Sequence, residues 1–202
     1  MREPSDRRPY RQRARAASTE ATGRRIVDAA LASYETVGPA RTTISRVAET
    51  AGVERLTVYR HFPTEEALAA ACAATIAERH PPPGPALDDP DPVDRLVRAV
   101  EATHDYYLGA EPLVGRLRRD ASLHPPTGRW VAELDARLAR LAAAVAPGWA
   151  SDPARGPAVR AAIGLALSYE TWLTLTRVGG LDRDTTVDLL VGLVEAAAEP
   201  LS

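Results

Sequence analysis

The residues best suited to specific chemistry lie at positions 42–71, which read TTISRVAETAGVERLTVYRHFPTEEALAAA. The pattern predicts a short helix, a tight turn at Gly52, a second short helix and the start of a third. Ala48 is small enough to let two helices cross closely, and Gly52 accepts the positive φ that the turn needs. Valines fill the inner faces, so the outer face is left for a partner. This spacing is typical of a DNA-binding helix-turn-helix, and its outer face carries Arg55, Thr57, Tyr59 and Arg60.

The segment TTISRVAETAGVERLTVYRHFPTEEAL resembles the N-terminal signature of the tetracycline-repressor (TetR) family of transcriptional regulators. Thr22–Gly38 (TGRRIVDAALASYETVG) resembles the first helix of that family. Close similarity runs from about Thr22 to Ala74, whereas the rest matches only in helical pattern and length. The resemblance implies an all-α fold with an N-terminal three-helix helix-turn-helix DNA-binding domain and a C-terminal helical domain for ligand binding and dimerisation. It also implies a repressor that binds an inverted-repeat operator in double-stranded DNA as a homodimer and is released by a small-molecule effector.

Base reading is expected from the second helix of the motif. Arg55 is the first candidate, because a guanidinium at the start of a recognition helix can grip O6 and N7 of guanine. Leu56 and Thr57 can meet the methyl groups of thymine. Arg60 shares the outer face, although a solvated surface arginine would show the same pattern.

Five further positions gain a role from the family resemblance. Thr43, Tyr59 and His61 match positions that usually hold phosphates, and Ser45 and Arg46 match positions that reach bases or backbone. Two alternatives stay open. Arg46 can be a solvated surface residue, and the His61 ring can be packed under the following helix.

The sequence departs from the family pattern at two acidic residues near the expected DNA surface. Glu54 stands where a polar N-cap such as serine is usual, and Glu65 stands where a lysine usually meets a phosphate. Both residues weaken electrostatic attraction to DNA. They favour the alternative function, a helical protein-interaction module that keeps the fold and has lost or altered DNA binding.

The net charge of −2 conceals a division along the chain. Residues 1–62 hold 12 arginines against 7 acidic residues, and the remainder holds 13 against 20. A basic first third on an acidic body is typical of a nucleic-acid reader. Six of the arginines lie within residues 1–17, which we expect to form a disordered arm that contacts phosphates or the minor groove. A solvated tail without such contacts is the alternative.

Periodicity predicts about nine helices and no strand. The first is expected from about Ser18 or Thr19 to Val37, the eighth as one helix over Ala161–Leu175, and the ninth over Asp184–Ala198. The fifth is expected to bury one face that carries Val93, Leu96, Val97, Val100, His104, Tyr107 and Leu108. The predicted divisions are an arm (1–17), a helix-turn-helix domain (18–63), a connecting helix (64–79), a Pro-rich linker (80–91) and an effector-binding and dimerisation domain (92–202).

The last two predicted helices are apolar on more than one side, so a second side must be buried against something. A central eighth helix in a monomer would satisfy this requirement. So would a four-helix homodimer interface, which the family resemblance implies and which we favour. The resemblance also places a small apolar or amphipathic effector among helices five to eight. Aromatic or polar residues on apolar faces are the candidate ligand-binding residues, with core packing as the alternative: His104, Tyr107, Trp130, Tyr169 and Trp172.

Several function classes are disfavoured by the sequence. The four histidines share no metal-ligand spacing, and no phosphate-cradling glycine loop occurs, so neither catalytic residues, a metal site nor a cofactor is predicted. Cys72 is the single cysteine and excludes an internal disulfide framework; we expect a packed thiol. No apolar run is long enough to span a membrane, and no secretory signal is recognisable, so we expect a cytoplasmic protein.

Overall fold

The computed structural model describes residues 7–84, 89–150 and 152–199, with side chains from residue 15 onward. All regular structure in these ranges is helical, which confirms the predicted all-α fold. Short 3₁₀ turns lie at Pro39–Arg41 and Pro153–Arg155, and a π-helical turn at Leu173–Val178 follows α9 directly. The helices are α1 (Arg7–Thr36), α2 (Ile44–Ala51), α3 (Arg55–His61), α4 (Glu65–Arg79), α5 (Pro92–Ala110), α6 (Leu113–Asp120), α7 (Pro125–Val145), α8 (Gly156–Ala166), α9 (Tyr169–Trp172) and α10 (Arg183–Ala198). In the described ranges, no helix is both long enough and apolar enough to cross a lipid bilayer.

Helix α1 begins earlier than the sequence analysis predicted. It starts at Arg7 rather than near Ser18, so the disordered arm is wrong for residues 7–17, while residues 1–6 lie outside the described residues. Arginine, glutamine and alanine dominate this stretch and are strong helix formers, so helix propensity outweighs the low hydrophobicity. Residues 15–21 are exposed, and the buried stripe of α1 begins at Ile26.

The helix-turn-helix forms where it was predicted, for the local reasons anticipated. The Thr43 hydroxyl accepts the Arg46 backbone N–H at 3.2 Å and caps α2. Gly52 ends α2 with φ 65° and ψ 40°, the left-handed conformation that glycine adopts without strain. Val47 and Val58 are fully buried beneath the two helices. Cys72 of α4 is buried as expected, and burial raises the pKa of its thiol to about 12.

The chain divides into two compact units, and the division differs from the predicted domains. The first unit contains residues 1–79 together with 115–129, and the second contains 80–114 together with 130–202. The segment 115–129, which had been assigned to the C-terminal domain, therefore packs with the helix-turn-helix. Its charged side chains make hydrogen bonds to the end of α1, at residues 35–40. Polar contacts between residues so far apart in the chain produce no helical periodicity, so the sequence pattern does not indicate them.

The core of the second unit joins α5 to α7, α8 and α10. The predicted inner face of α5 is correct for Leu96, Val100, His104 and Tyr107, which are all buried. It is wrong for Leu108, which is 58% exposed. The neighbouring Tyr106, which was not predicted, is buried instead, so the apolar stripe was placed too far toward one side of the helix.

The predicted eighth helix is interrupted. Helix α8 ends at Ala166, and Ser168 adopts an extended conformation with φ −79° and ψ 147° before α9. The Ser168 hydroxyl accepts the Thr171 N–H at 3.2 Å, so a side chain caps the new helix. The Tyr107 hydroxyl donates to the Leu167 carbonyl at 2.8 Å and satisfies one oxygen freed by the break. A continuous apolar run concealed this serine cap from periodicity analysis.

We expect Gly38→Ala to destabilise the chain more than Gly52→Ala. Gly38 has φ 91° and ψ 162°, a region open essentially to glycine alone, and a Cβ there would lie 2.2 Å from Arg119 Nη2 and 2.3 Å from Asp120 Oδ2. At Gly52 a Cβ meets nothing within 4 Å. The expected losses in unfolding free energy are about 1 kcal/mol for Gly52→Ala and about 1–3 kcal/mol plus the steric clash for Gly38→Ala. Thermal unfolding followed by circular dichroism measures both, and equal losses would contradict the role of the clash.

Candidate nucleic-acid interface

The exposed face of the helix-turn-helix carries most of the predicted DNA-contacting residues. Arg55 and Arg60 of α3 are exposed, and so are Ser45 and Arg46 of α2 and the cap Thr43. All of these residues belong to the first compact unit. The structure therefore presents a set of guanidinium and hydroxyl groups on two helices that cross at a glycine turn. Groups of this kind can donate hydrogen bonds to base edges and phosphate oxygens.

Helix α3 exposes apolar as well as charged groups. Leu56 is 65% exposed and Tyr59 is 43% exposed, although both are large and mainly apolar. Large exposed apolar side chains on a short helix are usual where a partner covers them. A leucine of this kind can contact thymine methyl groups, and a tyrosine can direct its hydroxyl to a phosphate.

Thr57 and Arg60 form a hydrogen-bonded pair along α3. Arg60 Nη2 donates to Thr57 Oγ1 at 2.9 Å, and Thr57 is half-buried. The bond restrains a long side chain that would otherwise move in solvent. It leaves further N–H donors of the guanidinium for a partner, since arginine carries five.

His61 is placed differently from the other predicted phosphate ligands. Its ring is half-buried, and Nδ1 lies 3.4 Å from the position of a Cβ built on Gly23 of α1. It lines a cavity of about 450 Å³ between α1 and α4. Thr43 and Tyr59 instead line another cavity, of about 330 Å³. The environment of His61 thus matches the packing alternative better than a phosphate ligand.

The two acidic departures have different surroundings. Glu54 is exposed at the start of α3 and makes no side-chain capping hydrogen bond, which agrees with its poor capping ability. Glu65, the first residue of α4, accepts a hydrogen bond from His124 at 2.9 Å. Sequence reasoning missed His124, because nothing in its local pattern indicates a partner 59 residues away.

In the second unit, four of the five predicted ligand-binding residues come together. Tyr107 contacts Tyr169 edge-on at 5.3 Å between ring centroids, and it lies 5.7 Å from the ring of Trp172. Trp130 packs against the same cluster, and Tyr106, which was not predicted, belongs to it. The rings are closely packed, so this aromatic cluster serves the core whatever else it binds.

His104 lies apart from the aromatic cluster. It is buried, its ring bonds the Ala166 carbonyl, and its Nε2 atom is buried without a hydrogen-bond partner. Burial lowers the pKa of its imidazole, so the neutral form is favoured. At the edge of the aromatic cluster, Arg177 lies 5.2 Å over the Trp172 ring, and its Nε donates to Glu111 at 2.9 Å.

Grouped metal ligands do not occur in the part of the chain that the structure describes: no three His, Cys, Asp or Glu side chains lie close enough to hold an ion.

Comparison with known families agrees with this geometry. Residues 26–72 match the family described as bacterial regulatory proteins, tetR family. Over these residues the chain is similar to the tetR family. The match agrees with a helix-turn-helix in the first part of the chain. The matched segment contains α2 and α3, the two helices that carry the exposed polar face.

Solved structures of tetR-family proteins share the fold beyond the matched segment. A tetR-family transcriptional regulator from Streptomyces coelicolor is 22% identical, with 88% of this chain and 79% of that chain covered at a TM-score of 0.55. A protein assigned to the same family from Mesorhizobium loti is 16% identical, with 89% and 96% covered at a TM-score of 0.50. At these identities the likeness extends to the fold alone. No curated protein matches the sequence significantly.

Proposed function

We propose that this protein is a ligand-responsive repressor of the tetR kind, which binds an inverted-repeat operator as a homodimer and leaves it when a small molecule binds. The observation that carries the proposal is the exposed face of α3, where Arg55, Leu56 and Tyr59 all face solvent. A short recognition helix contacts too few base pairs to select one site in a genome. A second copy related by two-fold symmetry doubles the contacts and predicts half-sites about 34–36 Å apart.

Within this proposal the contacts have distinct roles. Arg55 is the first residue of α3 and reads guanine, while Leu56 meets thymine methyl groups. Thr43 and Tyr59 line the same cavity, so they can serve neighbouring positions on one phosphate backbone. Ser45, Arg46 and Arg60 supply further donors to bases or backbone. We assign His61 to packing rather than to DNA, because it lines the cavity between α1 and α4.

Arg55→Ala should weaken binding to the operator and relax its specificity at one base pair. Loss of a bidentate guanine contact corresponds to about 1–3 kcal/mol, or roughly 5- to 150-fold in Kd. Tyr59→Phe should weaken binding to all sequences by a smaller factor, because a phosphate bond carries no sequence information. Fluorescence anisotropy with DNA from upstream of the protein's own gene measures both effects.

The matched control for this experiment is Arg140→Ala, which removes an exposed arginine of α7 in the second unit. It should leave the affinity within about twofold of wild type, since distant surface charges are screened by salt. If wild type and Arg55→Ala bind every genomic fragment equally weakly, base reading by α3 is contradicted. The exposed acid Glu54 would then support the protein-interaction alternative.

The proposed dimer interface is formed by α8 and α10. Both helices contribute to one buried core cluster, yet Leu165, Leu189 and Leu193 remain 55%, 50% and 40% exposed. Apolar side chains of this size on two packed helices support burial against the same two helices of a second copy.

Leu189→Arg combined with Leu193→Arg should convert the dimer to monomers at micromolar concentration. Two desolvated charges on an apolar interface are strongly unfavourable, and a C2 axis places each substitution in the interface twice. Sedimentation velocity measures the mass, and operator affinity should fall more than about 10-fold as the paired half-sites are lost. Leu123→Arg is the control, because Leu123 is 73% exposed and lies in the first unit. A wild type that sediments as a monomer would contradict the proposed assembly.

We place the effector site at the aromatic cluster and the break that follows α8. The Tyr107 hydroxyl bonds the Leu167 carbonyl there, and the Tyr169 and Trp172 rings pack against it. An apolar or amphipathic molecule that enters must displace rings or compete for that bond, which supplies a conformational change. Release from DNA requires that the molecule bind the DNA-incompetent arrangement more tightly, and only that difference counts.

The N-terminal extension of α1 is proposed to contact phosphates. Residues 7–21 precede the buried stripe of α1, and residues 1–15 contain six arginines. Deletion of residues 1–15 should lower DNA affinity and reduce the slope of log K against log salt by about 0.9 per lost phosphate contact. Replacement of the six arginines by lysines keeps the charge and should keep the slope. An unchanged slope after the deletion would remove the extension from the mechanism.

A further inference from the structure

Two arginines of the segment 115–129 donate hydrogen bonds to backbone carbonyls at the end of α1. Arg116 Nε donates to the Glu35 carbonyl at 2.6 Å, and Arg119 Nη2 donates to the Val37 carbonyl at 2.9 Å. Helix ends leave carbonyl oxygens without intrahelical partners, so the two guanidiniums meet a need of α1 itself. The segment is therefore fixed to the helix-turn-helix unit at this point.

Asp120 makes the anchor rigid. Its side chain is 3% exposed, Oδ1 accepts Arg119 Nε at 2.7 Å, and Oδ2 accepts the Ala40 N–H at 3.1 Å. The Arg119 guanidinium, with help from the Ala40 N–H, holds the pKa of the Asp120 carboxyl below its ordinary value. The backbone carbonyl of Asp120 also accepts the His124 N–H at 3.0 Å. One residue thus links the turn before α2 to the position of His124.

The His124 ring has hydrogen-bond partners at both of its nitrogens. The ring is buried, and Nδ1 lies 3.2 Å from the backbone N of Thr127 and 2.7 Å from its hydroxyl. Nε2 lies 2.9 Å from Glu65 Oε1 and donates to this carboxylate oxygen. The buried ring is thus held between Thr127 and Glu65.

Glu65, which accepts the hydrogen bond from His124, lies beside the proposed phosphate ligands. Its side chain is 63% exposed and lines the same cavity as Thr43 and Tyr59, the proposed phosphate ligands. A mobile carboxylate at this place would repel a phosphate that approaches those two residues. The hydrogen bond from His124 restrains the carboxylate and stabilises its negative charge within the protein.

We propose that His124 is a positioning residue for DNA recognition, which restrains the Glu65 carboxylate beside the phosphate-binding residues and is itself held in place through Asp120. The proposal rests on the proposed function and adds a specific device to it. The recognition unit then depends on a residue that lies outside the helix-turn-helix in the chain. Glu65, an unfavourable residue near DNA by charge alone, becomes tolerable because its partner is supplied from the start of α7.

The test is a double-mutant cycle on operator affinity in the full-length protein. His124→Ala should weaken operator binding by about 3- to 10-fold, because the released carboxylate is free to approach phosphates. Glu65→Gln alone should leave the affinity unchanged or improve it, since the amide still accepts the His124 N–H and carries no charge. In the E65Q background, His124→Ala should then cost less than about twofold. An equal cost of His124→Ala in both backgrounds would overturn the proposal, because His124 would then act on the fold rather than through Glu65.

His124→Gln is the control for misfolding, because a glutamine amide can also donate a hydrogen bond to Glu65. This variant should retain more operator affinity than His124→Ala. Nitrogen-15 NMR of the histidine rings in the DNA-free chain provides a readout that needs no DNA. Only four histidines are present, and the signal lost in His124→Ala assigns the ring. An Nε2–H that donates to Glu65 is expected, and a ring whose only proton is on Nδ1 would overturn the geometry.

The two proposals fail in distinguishable ways. A wild type that binds no operator contradicts the proposed function and the positioning role together, even if the His124 ring shows the expected tautomer. A wild type that binds its operator normally, with no coupling between His124 and Glu65, contradicts the positioning role alone.

Discussion

The carbonyl oxygens at the carboxyl end of α1 need hydrogen-bond donors, and the segment 115–129 of the first unit supplies them. The last carbonyl oxygens of a helix have no intrahelical partner, and side-chain donors can satisfy them. Here the donors are Arg116 and Arg119, which lie 81 and 82 positions further along the chain from the carbonyls they bind. Arg119 and Asp120 leave no room for a side chain at Gly38, whose φ of 91° already disfavours one. Asp120 then binds the turn that leads into α2.

These contacts are connected to the proposed DNA-contacting face by a few neighbouring residues. The turn at Pro39–Arg41 is followed almost at once by Thr43, whose hydroxyl caps α2. Helix α2 packs against α3, and Val47 and Val58 on these helices are fully buried. The placement of the exposed residues of α3 therefore depends on Arg116, Arg119 and Asp120, which belong to a different segment of the chain.

Sequence reasoning succeeded where the determinants are local. The cap at Thr43, the turn at Gly52 and the apolar spacing of α2 and α3 all lie within a few residues of the structure they produce. It failed where partners are distant or where two local signals compete. The contacts of Asp120 and His124 join residues 80 and 59 positions apart, which one sequence cannot reveal. At α8, a serine cap and a tyrosine from α5 outweigh an apolar run that reads as continuous helix.

The candidate site shows the same division. The exposed positions of α2 and α3 follow from helical spacing. The half-buried His61 lies beside Gly23 of α1, and spacing within the motif does not indicate this neighbour. In the second unit, helical stripes identified the rings of the aromatic cluster but not their packing against one another. Residue type and period predict which side of a helix is apolar, and tertiary contacts decide what that side touches.

Arginine content is an unreliable guide to DNA-binding charge in this chain. All 25 basic residues are arginines, and several bind backbone carbonyls of their own protein. Arg95 donates to the carbonyls of Asp89 and Pro90, and Arg137 donates to those of Pro82 and Pro83. A planar guanidinium suits this use because its donors diverge in a fixed fork that can span two carbonyls. Each arginine used in this way has a fixed position within its unit.

The charge available to DNA must therefore come from elsewhere. Glu54 adds an exposed negative charge at the start of α3, and the Glu65 carboxylate accepts a hydrogen bond from His124. Besides the exposed arginines of α2 and α3, a concentrated source is the arginine-rich start of α1, which is helical from Arg7. A backbone that is already helical loses less conformational freedom on binding than a disordered arm would. Under the proposed function, sequence preference then comes from α3 and much of the salt-dependent affinity from α1, two helices of the same compact unit.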